Sequence, residues 1–311
     1  MEFTHVPVLL AEAVEYLNCR DGAIVVDCTL GGGGHAEAIL NRITPTGFLL
    51  GIDRDEAAID AAKVKLEAFS QHIKLVRDDF RRLKDILSTL KMPSVDGILF
   101  DLGVSSFQLE EPERGFSYKI PAVLDMRMDR RQEMTAAYIV NSYAEDRLAA
   151  VLRKYGEEPW AKRIARFIVE ARKRKTIEST EELVRIIKDA IPASARRRGG
   201  HPAKRTFQAL RIEVNRELEG LDRAIFDAAT CLKKGGRMVV ISYHSLEDRV
   251  VKNCFRQLAR GCICPEDLQR CECSELYKVE VLTKKPVRPA DEEVKINPRA
   301  RSAKLRAAER L

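Results

Sequence analysis

Four consecutive glycines, Gly31 to Gly34, separate the apolar run Ala23 to Val26 from the segment His35-Ala36-Glu37-Ala38-Ile39-Leu40. Such a run suits neither strand nor helix interior, because an ordered glycine loses more backbone entropy than any other residue. The pattern predicts strand, tight turn and helix, with positive φ in the turn and helix N–H groups open to a polar ligand. A second apolar run, Phe48 to Ile52, ends in Asp53. That acid follows the turn by about 20 residues, the spacing at which a carboxylate accepts the hydroxyls of a bound ribose. Glycine turn and acid together predict a nucleotide-like ligand.

Two ligands fit so far. Gly31-x-Gly33-x-x-Ala36 also satisfies the dinucleotide fingerprint GxGxxG/A, which keeps a nicotinamide dehydrogenase in view. Other acids favour S-adenosylmethionine. Asp27 ends the first strand beside the turn, where it can receive the cationic methionyl end, and the third strand, Ile73 to Arg77, leads into Asp78-Asp79-Phe80, a corner able to hold an adenine. A pyrophosphate gains nothing from a carboxylate beside its turn.

Strands alternate with amphipathic helices through the first hundred residues: Ala23 to Cys28, Ala36 to Arg42, Phe48 to Asp53, Glu56 to Phe69, Ile73 to Arg77, Arg81 to Leu90 and Val95 to Asp101. This rhythm predicts an α/β fold with a doubly wound parallel sheet. It stops after Asp101, and the stretch to about Arg216 reads as nearly all helical, with Ile164, Ile168 and Ala171, then Leu183, Ile186 and Ile187, at core-facing spacing. A helix from Glu217 to Leu232 then ends at Lys233-Lys234-Gly235-Gly236, basic residues in its last turn and glycine beyond, before a strand from Arg237 to Ser242. The expected organisation is therefore a cofactor domain made of 1–107 and 216–311, interrupted by a helical domain at 108–215.

The net charge of +7 is concentrated in that interruption. From Asn141 to Arg216 there are 19 Lys and Arg against 10 Asp and Glu, an excess of 19 − 10 = 9, so the rest of the chain is close to neutral. Arg172-Lys173-Arg174-Lys175, Arg196-Arg197-Arg198 and Lys204-Arg205, with Tyr155, Trp160 and Phe167 interspersed, suit phosphate neutralisation and predict RNA or DNA as partner. No apolar stretch approaches the ~20 residues of a membrane span, and Met1-Glu2-Phe3-Thr4-His5 does not resemble a secretory leader, so no membrane and a cytoplasmic location are expected.

Ligands in open α/β sheets bind at the carboxyl edge, which directs attention to two polar strand exits. The fourth strand leaves as Phe100-Asp101-Leu102-Gly103-Val104-Ser105-Ser106-Phe107-Gln108. Here Asp101 faces a transferring methyl group, and Ser105, Ser106 and Gln108 can bind cofactor or base. The fifth leaves as Ser242-Tyr243-His244-Ser245-Leu246-Glu247-Asp248. Ser245 with Asp248 also reads as a helix N-cap with an acid in the first turn, a role compatible with a site.

Longer blocks carry a resemblance. Asp-Gly-Ile-Leu-Phe-Asp-Leu-Gly-Val-Ser-Ser from Asp96, Glu-Arg-Gly-Phe-Ser from Glu113, Leu-Asp-Met-Arg-Met-Asp from Leu124, His-Pro-Ala-x-Arg-Thr-Phe-Gln from His201, His-Ser-Leu-Glu-Asp-Arg from His244 and Asn-Pro-Arg-Ala-Arg-Ser from Asn297 resemble the RsmH (MraW) methyltransferases over nearly the whole chain. The resemblance implies a class I, Rossmann-like methyltransferase. It also implies transfer of a methyl group from S-adenosylmethionine to the exocyclic N4 of a cytidine in the decoding region of bacterial 16S ribosomal RNA, on the small subunit. Carried over by motif, the cofactor residues fall on Gly33, Gly34, His35, Asp53, Phe80, Asp101 and Gln108. Substrate contacts are expected from Ser105, Ser106, Tyr243 and His244, and Asp101 or a nearby main-chain carbonyl is expected to accept an N4 hydrogen. Other amino methyltransferases carry Asp/Asn/Ser-Pro-Pro-aromatic where this chain has Asp-Leu-Gly-Val, which leaves Phe107, Tyr243 and His244 as candidates to stack on the base. A ribosome-binding factor without catalysis is the alternative from another class.

Eight cysteines remain to be placed. Cys262-x-Cys264 and Cys271-x-Cys273 could clip a loop around zinc, although CxC is a tighter bite than the usual CxxC, and reduced thiols without metal are the competing expectation. Cys19, Cys28, Cys231 and Cys254 lie in apolar contexts and are expected in the core.

Overall fold

The structure, a computed structural model, describes residues 7–105, 108–109, 111–196, 200–261 and 278–311. The chain divides into two units, Met1–Gly103 with Leu218–Leu311, and Val104–Glu217.

The first unit is built on a seven-stranded sheet. Its elements are α1 (Leu10–Leu17), β1 (Ile24–Asp27), α2 (Gly34–Ile43), β2 (Phe48–Asp53), α3 (Glu56–Lys65), β3 (Ile73–Arg77), α4 (Leu83–Thr89) and β4 (Val95–Asp101). After the second unit, whose helices are numbered α5 to α10, come α11 (Leu221–Cys231), β5 (Leu232–Ser242), α12 (Ser245–Arg260), β6 (Val279–Val281), α13 (Asp291–Ile296) and β7 (Lys304–Arg310). The strand order is β3-β2-β1-β4-β5-β7-β6. Strands β1 to β5 pair in parallel, whereas β7 runs antiparallel to both β5 and β6. Val25, Val26, Leu49, Leu50, Ile98, Leu99 and Phe100 are fully buried, as expected for continuous apolar strands with helices on both faces.

Sequence periodicity did not announce β6 and β7. Lys304-Leu-Arg-Ala-Ala-Glu-Arg reads as a solvated segment, yet its charges are matched by distant residues. Lys304 and Arg306 meet Asp248 at 2.9 and 2.7 Å, and Glu309 meets Arg237 at 2.8 Å. Paired in this way, Arg306 is buried along with Leu305, Ala307 and Ala308.

The expected helix Glu217 to Leu232 is corrected at both ends: α11 starts at Leu221 and stops at Cys231, and Lys233-Lys234 belong to the start of β5. The register against β4 shifts there, and Lys233 Nζ pairs with Asp96 Oδ2 at 2.8 Å. A Cβ on Gly236 would come 2.8 Å from the Lys233 carbonyl oxygen. These glycines therefore serve an irregular strand start, where the sequence resembles a helix C-cap.

The second unit has its own core, formed by α5 (Ala136–Ser142), α6 (Glu145–Gly156), α7 (Ala161–Arg172), α8 (Thr180–Ala190), α9 (Ala193–Arg196) and α10 (Lys204–Asn215). Ile164, Ile168, Leu183 and Ile187 are fully buried in it, with Ala171 and Ile186 packed at its edge. The unit is less uniformly helical than expected. Between Glu111 and Thr135 the described residues hold a short 3-10 turn, Pro112–Arg114, and an isolated bridge from Val123 to Ser179. Leu124, Met126 and Met128 alternate into the core while Asp125 and Asp129 bind Arg127 and Arg131 at 2.8 and 2.7 Å. Asn215 secures this extended segment, accepting from Met128 N and donating to the Met126 carbonyl, both at 2.7 Å. Gly115 has φ +67, and a Cβ there would strike the Val123 carbonyl oxygen at 2.1 Å.

Among the described residues, no helix is long and apolar enough to cross a membrane.

Candidate active site

The carboxyl ends of β1, β2 and β4 each terminate in an acid: Asp27, Asp53 and Asp101. Parallel register places Asp27 beside Gly51 of β2 and Leu99 of β4, so the three strand ends open at one edge. Between β1 and α2 the glycine turn adopts the conformation its sequence demands, with φ of +51 at Gly31 and +80 at Gly33. Asp53 closes it, its Oδ2 accepting from Gly31 N at 2.8 Å and its Oδ1 from Asp55 N at 2.9 Å.

The glycines differ in what their missing Cβ allows. On Gly33 it would lie 3.1 Å from Leu66 Cδ1, and on Gly34 2.3 Å from Pro7 Cγ. Both are close packing contacts within the protein. On Gly32, a position the motif did not single out, it would meet nothing within 4 Å, so this glycine borders open space. No side chain caps α2 at Gly33. The N–H groups of a first helical turn lack intrahelical partners, which leaves donors at Gly34 and His35 for a ligand.

His35, Asp101 and Tyr243 meet at the β4 exit. The Tyr243 hydroxyl donates to Asp101 Oδ1 at 2.8 Å, and His35 Nδ1 stands 3.6 Å from Asp101 Oδ2. His35 Nε2 is 3.1 Å from the Val8 carbonyl oxygen. That oxygen only accepts, so Nε2 carries a hydrogen and the neutral ring turns its Nδ1 lone pair toward Asp101. Thr29, which the motif reading missed, ties the β1 and β4 exits together. Its N–H donates to Asp27 Oδ1 at 3.1 Å and its hydroxyl oxygen accepts from Asp101 N.

Charge is destabilised throughout this edge. Burial pushes the Asp27 carboxyl up to about 7, partly opposed by His35 and the Thr29 N–H and reinforced by Asp101 and Asp53. Burial likewise pushes Asp101 up to about 7, with the Tyr243 hydrogen bond pulling down and Glu247 pushing up. Asp53 is raised by burial against the donors Asp55 and Gly31. Burial lowers His35, opposed by Asp27, the Val8 carbonyl and Glu293. Three carboxyls at one strand edge suit a ligand bearing positive charge, which would favour their ionised form, and offer a pyrophosphate no counter-charge. A sulfonium, an ammonium and a ribose diol therefore fit this donor set.

The chain as a whole decides between cofactors, because the sequence model of the MraW methylase family matches residues 2–311. The chain belongs to the MraW methylase family. It is 53% identical over 307 residues to a protein of Halothermothrix orenii called ribosomal RNA small subunit methyltransferase H, covering 99% of this chain and 98% of that one. Proteins of the same name from Clostridioides difficile and Symbiobacterium thermophilum are 50% and 53% identical over 311 residues, covering all of this chain and 100% and 98% of theirs. As an MraW methylase, the chain is not the nicotinamide dehydrogenase that its glycine fingerprint allowed.

The remaining predicted residues of this methylase distribute as follows. Phe80 is half-buried, its ring edge-on to Phe100 with centroids 5.6 Å apart. The Asp79 carboxylate beside it is engaged by Arg81, with Nε at 2.8 Å, and so is not a free adenine acceptor. Burial pushes the Asp79 carboxyl up, but hydrogen bonding and charge from Arg81, with Arg54, hold it below its usual range.

His244, and not Ser245, caps α12. Its Nδ1 accepts from Glu247 N at 3.3 Å, its Nε2 lies 3.1 Å from Glu247 Oε1, and its side chain is nearly buried. Glu247 also accepts from Tyr243 N at 2.9 Å, which makes this buried acid the anchor of the β5 exit. Sequence placed Asp248 as the acid of that turn and overlooked Glu247, although Glu three residues after a cap is the capping-box signal.

Ser105 and Gln108 lie in the second unit and hold each other. Ser105 N donates to Gln108 Oε1 at 3.1 Å, and Gln108 N to Ser105 Oγ at 3.2 Å. Ser106, Phe107 and the four cysteines Cys262, Cys264, Cys271 and Cys273, with the zinc site they could form, lie outside the described residues. Cys28, Cys231 and Cys254 are buried free thiols, as their apolar contexts predict, whereas Cys19 is half-buried at the edge of the core.

Proposed function

We propose that this methylase transfers the methyl group of S-adenosylmethionine to the exocyclic N4 of a cytidine in the decoding region of bacterial 16S ribosomal RNA, working on the small subunit in the cytoplasm. The observation that carries the cofactor assignment is the set of three carboxyls, Asp27, Asp53 and Asp101, at the strand ends around one glycine turn. The names of the half-identical relatives support the RNA, and the motif resemblance supports the base.

When bound, S-adenosylmethionine supplies an electrophilic methyl carbon on a sulfonium. Asp53 would hold the ribose hydroxyls, Asp27 would receive the methionyl ammonium directly or through water, and the α2 N–H groups would meet its polar atoms. Phe80 offers the adenine an apolar surface. The N4 lone pair of cytosine is delocalised into the ring, so an acceptor for one of its hydrogens would assist attack by that nitrogen. Asp101 accepts one N4 hydrogen as positive charge builds on the nitrogen, and the proton then passes to water. Tyr243 restrains one oxygen of Asp101 and leaves the other, Oδ2, to take the proton. A stacked cytidine has to be flipped out for its amino group to reach this edge.

Nucleoside analysis of small-subunit RNA after incubation with the protein and methyl-labelled S-adenosylmethionine tests the reading. Label in N4-methylcytidine is the expected result. Label in another nucleoside refutes the target, and no label in naked RNA or in assembled subunits refutes the activity.

A further inference from the structure

The basic second unit is unevenly neutralised. Around Arg172 to Lys175, the cluster most conspicuous in the sequence, three of the four cations have partners. Lys173 Nζ lies 2.7 Å from Glu170, Lys175 Nζ lies 2.6 Å from Glu182, and Arg172 donates to the Val140 carbonyl at 2.8 Å. The Lys175 hydrogen bond, with two backbone donors, draws the Glu182 carboxyl down to about 2. The two ion pairs present little net charge to a polyanion, which leaves Arg172, bonded to a neutral carbonyl, and Arg174 as the cluster's uncompensated cations.

The opposite holds around the α6–α7 turn. Lys154, Lys162, Arg163, Arg166 and Lys204 are exposed, and among the described residues none has an ion-pair partner. Two of them lie against aromatic rings: Lys154 Nζ is 4.9 Å from the centre of Tyr155, and Arg163 Cζ is 5.4 Å from that of Phe167. Both rings, and that of Trp160 at the start of α7, are only partly buried. The first turn of α10 is fastened to the same place. Arg205 donates to the Glu157 carbonyl at 3.2 Å and Gln208 to the Tyr155 carbonyl at 3.0 Å. A Cβ on Gly156 would come 2.6 Å from the Arg205 carbonyl oxygen, so the two chains touch there.

We propose that this face, the α6–α7 turn with the start of α10, is the surface on which the second unit takes the phosphate backbone of an RNA strand. Unpaired cations neutralise phosphates, and the partly exposed ring edges of Tyr155, Trp160 and Phe167 give unstacked bases an apolar contact. The inference rests on the RNA reading of the proposed function and adds the place of contact.

Two triple variants with the same change in net charge separate placement from bulk electrostatics: K162Q/R163Q/R166Q on the proposed face and K173Q/R174Q/K175Q on the neutralised cluster. Binding of a fluorescein-labelled single-stranded RNA is followed by anisotropy at several salt concentrations, with a thermal melt of each variant to verify the fold. At about 0.7 per phosphate, the first triple should lower the slope of log K against log salt by about 2 and weaken binding more than tenfold at about 0.15 M salt. The second should move the slope by less than about 1. Equal effects of the two triples, or a larger effect of the second, overturn the placement. Failure of the unmodified protein to bind this RNA at low salt overturns the RNA reading itself, and preference for duplex over single strand overturns the role of the aromatic edges.

Discussion

Tyr243→Phe removes one oxygen from the candidate site and leaves the ring, whose Cδ2 would lie 3.3 Å from a Cβ on Gly103, in place. The lost interaction is the 2.8 Å hydrogen bond to Asp101 Oδ1, which pulls the Asp101 carboxyl down against burial. Burial and the neighbouring Asp101 carboxylate raise the Tyr243 phenol well above its ordinary range, so it stays a neutral donor at any working pH. A hydrogen bond to a charged group contributes about 1.5–3 kcal/mol, and 1.36 kcal/mol corresponds to one pKa unit. The Asp101 titration should therefore move upward by about one to two pH units. An acceptor works when ionised, so activity rises with pH through this titration and the limb should move to higher pH in the variant. Starting from the value of about 7 for Asp101, the ionised fraction at pH 7 falls roughly 5- to 50-fold, and the loss is recovered in alkali. Single-turnover methylation at saturating S-adenosylmethionine, measured from about pH 6 to pH 9.5, reads this directly. A limb at the same pH in both proteins, or a loss uniform across pH, refutes Asp101 as the acceptor held by Tyr243. Asp101→Asn with full single-turnover rate refutes it independently.

Three further outcomes are expected. Asp53→Ala should weaken S-adenosylhomocysteine binding by at least about tenfold in calorimetry, because it removes a hydrogen-bonded carboxylate and frees the Gly31 N–H it holds; unchanged affinity would remove Asp53 from the pocket. Asp27 is raised in the fold from 3.8 to about 7, so the stability it contributes is fully present below the unfolded value and is lost as pH rises through the folded one, on the order of a few kcal/mol. The melting temperature without ligand should accordingly fall between about pH 5 and pH 8, and Asp27→Asn should flatten that fall; equal slopes in both proteins would contradict the burial effect. Asn215→Ala breaks buried hydrogen bonds to Met126 and Met128 and should cost about 2–4 kcal/mol in urea unfolding, whereas a loss below about 0.5 kcal/mol would show that the extended segment holds without it.

What could be read from the sequence was local. Four glycines and a following amphipathic stretch specify turn and helix through their own φ preferences and apolar spacing, and Asp27, Asp53 and Asp101 declare themselves by ending apolar runs. The α/β alternation, the interrupting unit and the glycine turn itself were accessible on those terms. Failures occurred where a local pattern has two solutions. Lys233-Lys234-Gly235-Gly236 satisfies a helix C-cap as well as an irregular strand start, and Ser245 satisfies a cap that His244 in fact provides.

Tertiary structure decided everything that depends on residues distant in sequence. Asp101 meets Tyr243 across 142 residues because β4 pairs with β5. The charges of the polar strand β7 are met by Asp248 of α12 and Arg237 of β5. Which lysines and arginines stay available to a polyanion was likewise settled by where Glu170 and Glu182 fall on neighbouring turns. A residue's type and spacing fix its own backbone preference and the side it buries. Its partner, and hence its charge state and chemistry, is set by sheet register and helix packing between segments that no local pattern connects.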